Sequence, residues 1–505
     1  EAGFMSMKIE QKYLCIDRQQ WFPEQLNFEI SAEKYPSKDI GMKVQGQSFI
    51  KEINLNPAIT KKDFSMANVV MAKDAGKKDS SFWLTERIDT LSFREINTYH
   101  VLDSMGEKYK FDQIMKLTES LGKGKVGLGF LDIDLDKIFL YNDFEGNRVG
   151  FGLSTNDKLT KRFSLGGYGG YGFKDKRWKY GGEFNLRLNY DRELELGILY
   201  RNDVSEPGQS TFDSERGFTN FRSYLTSLMD RMALKHVALR GRPFKFTTME
   251  IGLSDYQRQV LYDYQFMPDN GVDQESPYHF TDLGVKIRFA YGEQIVESMG
   301  ERFPVESKYP VLSVGYIRGI PDFLGGEFDY HKMEAELSQR LITKSWGTIR
   351  LKARAGMIEG ELPMSNLFFG AGGYDSSLFV FVPEYFQTVQ PYEFLSDRYV
   401  NFFYTQEFPA IPTPVKFIKP KLSLIHAMGF GTLKHPEKHQ GIPFKTMEKG
   451  LFESGAIIDQ IIRFNYINIA YIGVGGGVFY RYGPNRLPNQ RDNLAFKISI
   501  NFSTN

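Results

Sequence analysis

A single cysteine, Cys15, stands in a chain of 505 residues. One thiol excludes an intrachain disulfide and a thiolate metal cluster. The seven histidines are scattered, and no HExxH motif joins any of them, so no metal centre is expected. No apolar run approaches the roughly 18 residues that a helical membrane span needs, which excludes helical spans. The net charge is only +1, so bulk electrostatics does not point to nucleic acid. No GxSxG elbow marks a nucleophile, and no other constellation supports catalysis. Glu1 is neither an initiator Met nor the start of a signal peptide, which leads us to expect a processed chain or a fragment of something longer.

Aromatic residues, by contrast, are plentiful: 15 % of the chain, with 43 Phe and 28 Tyr. They fall into alternating patterns. From Lys179 to Tyr190, Tyr180, Gly182, Phe184, Leu186, Leu188 and Tyr190 take one face, and Lys179, Glu183, Asn185, Arg187 and Asn189 the other. Period-two alternation means a strand with one apolar and one polar face. The pattern recurs with Leu283, Val285, Ile287 and Phe289 against Lys286 and Arg288. It recurs with Ile349, Leu351 and Ala353 against Arg350, Lys352 and Arg354, and with Phe496, Ile498 and Ile500 against Lys497, Ser499 and Asn501. Long antiparallel strands, apolar on one face and charged on the other, predict an all-β fold. It is a transmembrane antiparallel β-barrel of about 16 strands with a polar lumen. Lumen candidates are Glu145, Arg148, Glu183, Arg187, Arg350 and Arg354.

The barrel is expected over residues 126–505, with long extracellular loops. Residues 1–125 form a small periplasmic αβ region. In that region, strands are expected over Phe4–Gln11, Glu24–Ser31 and Gly41–Asn56, with Pro23, Pro36 and Pro57 as punctuation. Helices follow over 84–121, broken at Gly106. The long connections are Ser205–Asp230, Met267–Tyr278, Glu293–Tyr309, Gly360–Asp397 and Lys434–Gly450. The fourth is too rich in Phe and Tyr to stay in water. Part of it is expected to extend the barrel wall and part to plug the lumen, with Phe379, Phe381, Tyr385 and Phe386 as plug candidates.

Other motifs read as structure. Gly122–Gly127 and Gly167–Gly172 match GxGxxG, but strand patterns follow both where a dinucleotide site needs a helix, so they read as linker and glycine-rich strand. Asp132, Asp134 and Asp136 alternate onto one strand face. Lys137 stands where a calcium loop requires Gly, so a solvated or lumen-facing strand is expected. Pro436 opposes a helix that would align His435 with His439, which leaves a solvated loop. Glu145 and Arg148 read as a structural ion pair or turn residues.

Several phrases are more specific than periodicity: Trp21-Phe-Pro-Glu-Gln-Leu26, Asn142-Asp-Phe-Glu-Gly-Asn-Arg148 with the strand after it, Gly170-Tyr-Gly-Phe-Lys-Asp-Lys176, Lys308-Tyr-Pro-Val-Leu312 and Glu393-Phe-Leu-Ser-Asp-Arg-Tyr399. Together they resemble a Bacteroidota outer-membrane β-barrel family of uncharacterised function, the DUF5686 type. Its members usually carry a carboxypeptidase-regulatory-like β-sandwich before the barrel, and this chain is expected to begin downstream of that sandwich. More distantly, the chain is similar to the BamA/TamA-like superfamily, whose barrels hold a lumen loop with an Arg-Gly-Tyr or Arg-Gly-Phe core. The matching place here, Gly370-Ala-Gly-Gly-Tyr-Asp-Ser-Ser-Leu378, lacks the Arg, and Arg318-Gly319-Ile320 lies too early. Insertase activity therefore does not carry over.

The resemblance implies an integral outer-membrane protein, a non-enzymatic scaffold or accessory in envelope biogenesis. The alternatives are a channel or transporter for a small solute and, third, an outer-membrane enzyme of lipid or peptide hydrolysis. Expected surroundings are outer-membrane lipid and lipopolysaccharide, with other outer-membrane proteins or lipoproteins as partners in a complex. No cofactor, metal or nucleic acid is expected.

Overall fold

The computed structural model describes the chain except residues 1–4, 17, 19, 38–39, 60–66, 72–77, 89, 109–119, 121–123, 209, 213–225, 269–275, 299–300, 306, 375–378, 416, 467–469 and 504–505. It falls into two units.

The smaller unit contains a three-stranded antiparallel sheet: Met5–Ile16, Gln20–Ser37 and Ile40–Phe49. Met7, Ile9, Phe28, Ile30 and Val44 share one face, and Lys8, Glu29, Lys43 and Gln45 the other. The strands are not cut where the prolines suggested. Pro23 sits inside the second strand, just where its pairing with Tyr13 shifts register. A bulge tolerates a residue that cannot donate to the ladder. The third strand ends at Phe49, short of the expected Asn56. Two helices follow, Ser80–Glu86 and Phe93–Lys108. Asp79 caps the first by accepting from Phe82 N at 2.9 Å. The second opens with a Ser-x-x-Glu box, in which Ser92 N donates to Glu95 at 2.7 Å. The helical pattern thus starts earlier than position 84 and breaks between these caps, while Gly106 stays helical. Residues 109–119 and 121, the rest of that expected helix, lie outside the described residues.

The larger unit is a barrel whose strands form a closed ring. In chain order the strands are Leu131–Asp134 continued by Phe139–Asn142, then Gly146–Thr155, Phe163–Gly172, Arg177–Asn189, Leu194–Ser205, Asp230–Phe244, Thr247–Val260, Tyr278–Ala290 and Val311–Gly319. Tyr330–Thr343, Gly347–Glu359, Arg398–Glu407, Lys421–Thr432, Leu451–Tyr466, Ala470–Tyr482 and Leu494–Ser503 complete it. A short segment, Lys125–Leu128, stands between the last strand and the first. The first strand is interrupted by a 3₁₀ turn at Leu135–Lys137, which takes Asp136 off the face it was expected to share with Asp132 and Asp134.

The outer surface is an apolar band. Val149, Leu165, Ile198, Val237, Leu283, Leu337, Val400, Ile458 and Ile500, spread round the ring, are all exposed. Most of their strand neighbours are charged, polar or small, with Leu199, Tyr399 and Ile457 as large exceptions. In water this band would be untenable, and in lipid it is the lipid-facing side of a transmembrane barrel.

Consecutive antiparallel strands alternate in direction, so connections alternate between two ends. Ser205–Asp230, Val260–Tyr278, Glu359–Arg398 and Thr432–Leu451 share one end. The turns at Asn189–Leu194, Phe244–Thr247 and Thr343–Gly347 share the other. The connection Ala290–Val311 belongs to the short-turn end, although it is long. There Val296 and Glu297 pair in parallel with Val69 and Val70, and Asn68 N donates to Ile295 O at 2.8 Å. Burying Ile295 in this small sheet gives that connection a structural purpose of its own.

Candidate functional site: a plugged lumen

The first inward charges meet at the long-loop end of the early strands. The turn Asn142–Glu145 holds Glu145 by its own backbone, since Glu145 N donates to Asn142 Oδ1 at 2.8 Å. Arg148, three residues on, bonds Glu145 through Nε at 3.0 Å and Nη2 at 2.8 Å, and reaches across to Asp203 through Nη1 at 3.1 Å. Lys179 lies 2.6 Å from Glu145 and 2.5 Å from Asp175. The Tyr168 hydroxyl donates to Asp203 at 2.6 Å. Glu145 and Arg148 therefore do pair inside the barrel, and the pair is the centre of a network spanning four strands. Gly170 lies directly over the Arg148 side chain, 3.3 Å from where a Cβ would sit. A Cβ on Gly172 would strike Asp175 and Lys179 of the same network, so two glycines of the run leave room for it.

On the opposite wall, inward charges meet the 360–397 segment instead. Glu453 is buried and accepts from Gln387 N at 2.9 Å, Thr388 N at 2.7 Å and the Thr388 hydroxyl at 2.6 Å. Arg481, fully buried, holds Glu393 with two bonds of 3.0 and 3.1 Å, and its guanidinium lies over the Phe394 ring at 5.4 Å. Lys497 donates to Gly373 O at 2.7 Å. Between these anchors Phe386, Val389 and Phe394 pack on Phe403, Ala427 and Leu451 of the wall. Phe381 stacks on Phe479 at 5.7 Å. A side chain at Gly429 would meet Phe386 of the plug, and one at Gly455 would strike Phe479 of the neighbouring wall strand. A second segment enters beside it: Thr211 N donates to Glu334 at 2.6 Å, and Lys286 donates to Thr211 O at 2.8 Å. A void of only about 50 Å³ remains between the two.

The expected division of the 360–397 segment, part wall and part plug, is visible. Val380 pairs in parallel with Ile498, Phe381 N donates to Ile498 O at 2.8 Å, and Ile498 N donates to Phe379 O. Phe379 is therefore not a lumen plug. It is 49 % exposed, on the stretch that pairs along the last strand at Ile498. Phe381 and Phe386 pack against lumen-side residues of the wall, and Tyr385 lines the cavities on either side of the plug. Asp375 to Leu378, the end of the segment compared with the lumen-loop core, lie outside the described residues.

Other candidates are placed as follows. Arg354 bonds Glu336 at 2.7 Å and Arg350 bonds Glu407 at 2.8 Å, both across lumen-facing strand pairs. Glu183 packs over Gly166. Arg187 sits at the rim of the short-turn end rather than within the lumen, paired with Asp157 at 3.0 Å. The sequence reading missed Glu453, Arg481 and Glu393 as anchors. Arg481 shares its strand parity with Gly473, Gly475 and Gly477, so its inward direction was legible, but its partner was not.

At the long-loop end Phe266, Tyr278, Phe280, Phe328 and Tyr330 form an aromatic cap, with Phe280 stacked on Phe328 at 4.6 Å. His439 is buried in it, 2.8 Å from the Tyr264 hydroxyl, which accepts from Met364 N. Burial pushes the His439 imidazole down to about 4. Only His435 of that pair is solvated, so the expected solvated loop holds for half of it. Among the described residues no group of acids, histidines or cysteines is arranged to hold a metal.

Parts of the chain are similar to several solved structures. BamA from Haemophilus ducreyi lacking POTRA domains 1–3 is 13 % identical, with TM-score 0.43, over 72 % of this chain and 69 % of that one. CdiB from Acinetobacter baumannii is 13 % identical, with TM-score 0.37, over 70 % and 56 %. OccK11 (OpdR) from Pseudomonas aeruginosa is 11 % identical, with TM-score 0.30, over 74 % and 92 %. No curated protein matches the sequence. Residues 242–358, which run from the end of one wall strand through five more to the start of the plug, match the family model described as the C-terminal domain of DUF5686, a family of unknown function.

Proposed function

We propose that this chain is a non-conducting and non-enzymatic outer-membrane barrel that serves as a scaffold or accessory in envelope biogenesis. In this reading the smaller unit lies in the periplasm, and the partners are other outer-membrane proteins or lipoproteins. The observation that carries the proposal is the plug. Glu453, Arg481 and Lys497 each commit a buried wall charge to holding the 360–397 segment across the lumen. Leaving any of these charges without its partner is costly, so a passing solute would have to supply several kcal/mol to displace the segment. A barrel so filled offers a rigid body rather than a path. The second reading, a channel for a small solute, is favoured by the open chamber beneath the plug.

Planar-bilayer conductance of the purified protein separates the two. Silence from the intact chain, with current appearing after deletion of residues 375–390, supports the plugged scaffold. A large steady current from the intact chain overturns it in favour of the channel. Purification from native membranes in mild detergent then names the co-purifying chains.

A further inference from the structure

At the long-loop end the wall parts between two neighbouring strands. Arg177–Asn189 and Leu194–Ser205 pair as far as Tyr180 and Asn202, and there their ladder stops. Both strands run on. Arg177 still pairs with Gly172 on its other side, and Ser205 with Asp230 on its own. The two ends are therefore held by their outer neighbours and not by each other. A cleft of about 210 Å³ lies in the gap, with Arg177, Trp178 and Lys179 on one side and Asn202, Asp203 and Val204 on the other. Arg231 and Asp175 also line it.

The outward and inward faces of the wall meet in this cleft. Trp178 has the strand parity of lipid-facing Tyr180, and Arg231 that of lipid-facing Val237, and Trp178 is 70 % exposed. Lys179 and Asp203 belong to the inward network. The acids at the cleft are already held: Asp203 by Arg148 at 3.1 Å and the Tyr168 hydroxyl at 2.6 Å, and Asp175 by Lys179 at 2.5 Å. Lys179 is shared with Glu145 and so is engaged too. Arg177 and Arg231 differ. No carboxylate pairs with either among the described residues, and Arg231 bonds the neutral Gln259 at 3.2 Å. Glu145, Asp175 and Asp203 outnumber Arg148 and Lys179 by one, and the two free guanidinia reverse that sign.

An exposed indole offers a flat apolar face that can lie against the C–H face of a sugar ring. Guanidinia are planar donors that hold phosphate oxygens in pairs. The Asn202 amide both donates and accepts, as a sugar hydroxyl requires. An acyl chain would use neither guanidinium, and inorganic phosphate would leave the indole unused. The cleft adjoins the long-loop edge of the lipid-facing band, the level at which headgroups lie. We propose that it binds the phosphorylated sugar headgroup of a glycolipid in the leaflet on that side. The phosphate sits between Arg177 and Arg231, and the sugar ring lies on Trp178 with a hydroxyl at Asn202. The proposal holds whether or not the barrel conducts.

The test uses the full chain in detergent with Trp21, Trp83 and Trp346 changed to Phe, which leaves Trp178 as the sole indole. Glucose 1-phosphate is the probe, and Trp178 emission is the readout. A saturable change is expected, with glucose and inorganic phosphate each at least about tenfold weaker. Arg177→Gln or Arg231→Gln should each weaken binding of the sugar phosphate about tenfold, the effect of one charge-assisted contact, and leave that of glucose unchanged. The heat-modifiable gel shift shows that each variant is folded, and titration calorimetry on the unaltered chain gives the ranking of probes without any variant. Adding a phosphorylated glycolipid to the micelles should displace the probe, and adding phosphatidylglycerol should not. No saturable binding of glucose 1-phosphate overturns the proposal. So does equal affinity for inorganic phosphate, which would mark an anion site without sugar. So, too, does a glycolipid that displaces the probe no better than phosphatidylglycerol.

Discussion

The two walls of the lumen bury charge in different ways. On the early strands Arg148, Glu145, Lys179, Asp175 and Asp203 pair with one another, and every member belongs to the wall or its turns. On the late strands Glu453, Arg481 and Lys497 find their partners in the plug. The first arrangement ties strand to strand, and the second ties the wall to its filling. Similar residues at similar depth thus do two jobs, and which job is decided by whether a loop or a neighbouring strand reaches them.

The largest expected effect tests this contrast directly. Arg148→Ala leaves Glu145 and Asp203 buried without their shared cation, which should destabilise the barrel by about 3–5 kcal/mol. The heat-modifiable gel shift should then be lost at a markedly lower temperature. Arg481→Ala should leave that temperature within a few degrees of wild type and instead make residues 379–394 susceptible to protease. If Arg481→Ala lowered barrel stability as much as Arg148→Ala, the two walls would not differ in the way described.

A middle-sized effect sharpens the distinction between faces. Leu283 lies midway along Tyr278–Ala290 and is exposed on the outward side, whereas Arg187 sits at the rim. Leu283→Arg should cost about 2–4 kcal/mol, whereas Arg187→Lys should change refolding stability in lipid vesicles by under about 1 kcal/mol. Equal tolerance would contradict the inside-outside assignment on which both charge networks rest.

The smallest effect concerns the aromatic cap, a third region that depends on uncharged contacts. His439 has its imidazole lowered from 6.5 to about 4 by burial. With the cap open, His439 binds more protons than with it closed at any pH between those values. Cap stability is therefore full above about 6.5 and falls as pH drops toward 4. Amide exchange over residues 434–450, corrected for intrinsic rates, should rise at pH 5 relative to pH 7, and His439→Phe should remove the difference. Unchanged exchange between the two pH values would count against a buried neutral imidazole.

These patterns differ in how far they were legible in the sequence. Strand faces such as Lys286 and Arg288 against Ile287 and Phe289 follow from period two alone, because a strand's geometry leaves each side chain only two directions. The plug was legible as a contradiction, too many aromatics on one loop. Its two fates, edge pairing at Val380 and burial at Phe386, followed from there being few places to hide them. Which inward charge meets which was not legible. Glu393 and Arg481 lie 88 residues apart, and nothing local in either records the other. Pro23 misled because a bulge forgives proline. The connection Ala290–Val311 misled because length alone does not say which end of the barrel a loop occupies.

The pairing of the plug with the last strand also bears on the order in which the molecule is completed. Gly373 and Lys497 are separated by 124 residues, and Val380 leans on Ile498. The plug is therefore synthesised well before the strand that receives it, and it has no finished seat until Leu494–Ser503 arrives. Contacts of such long range form late. A seated plug is a record that the final strand has been delivered, so a chain truncated before residue 494 should retain most of its hairpins and yet never fill its lumen.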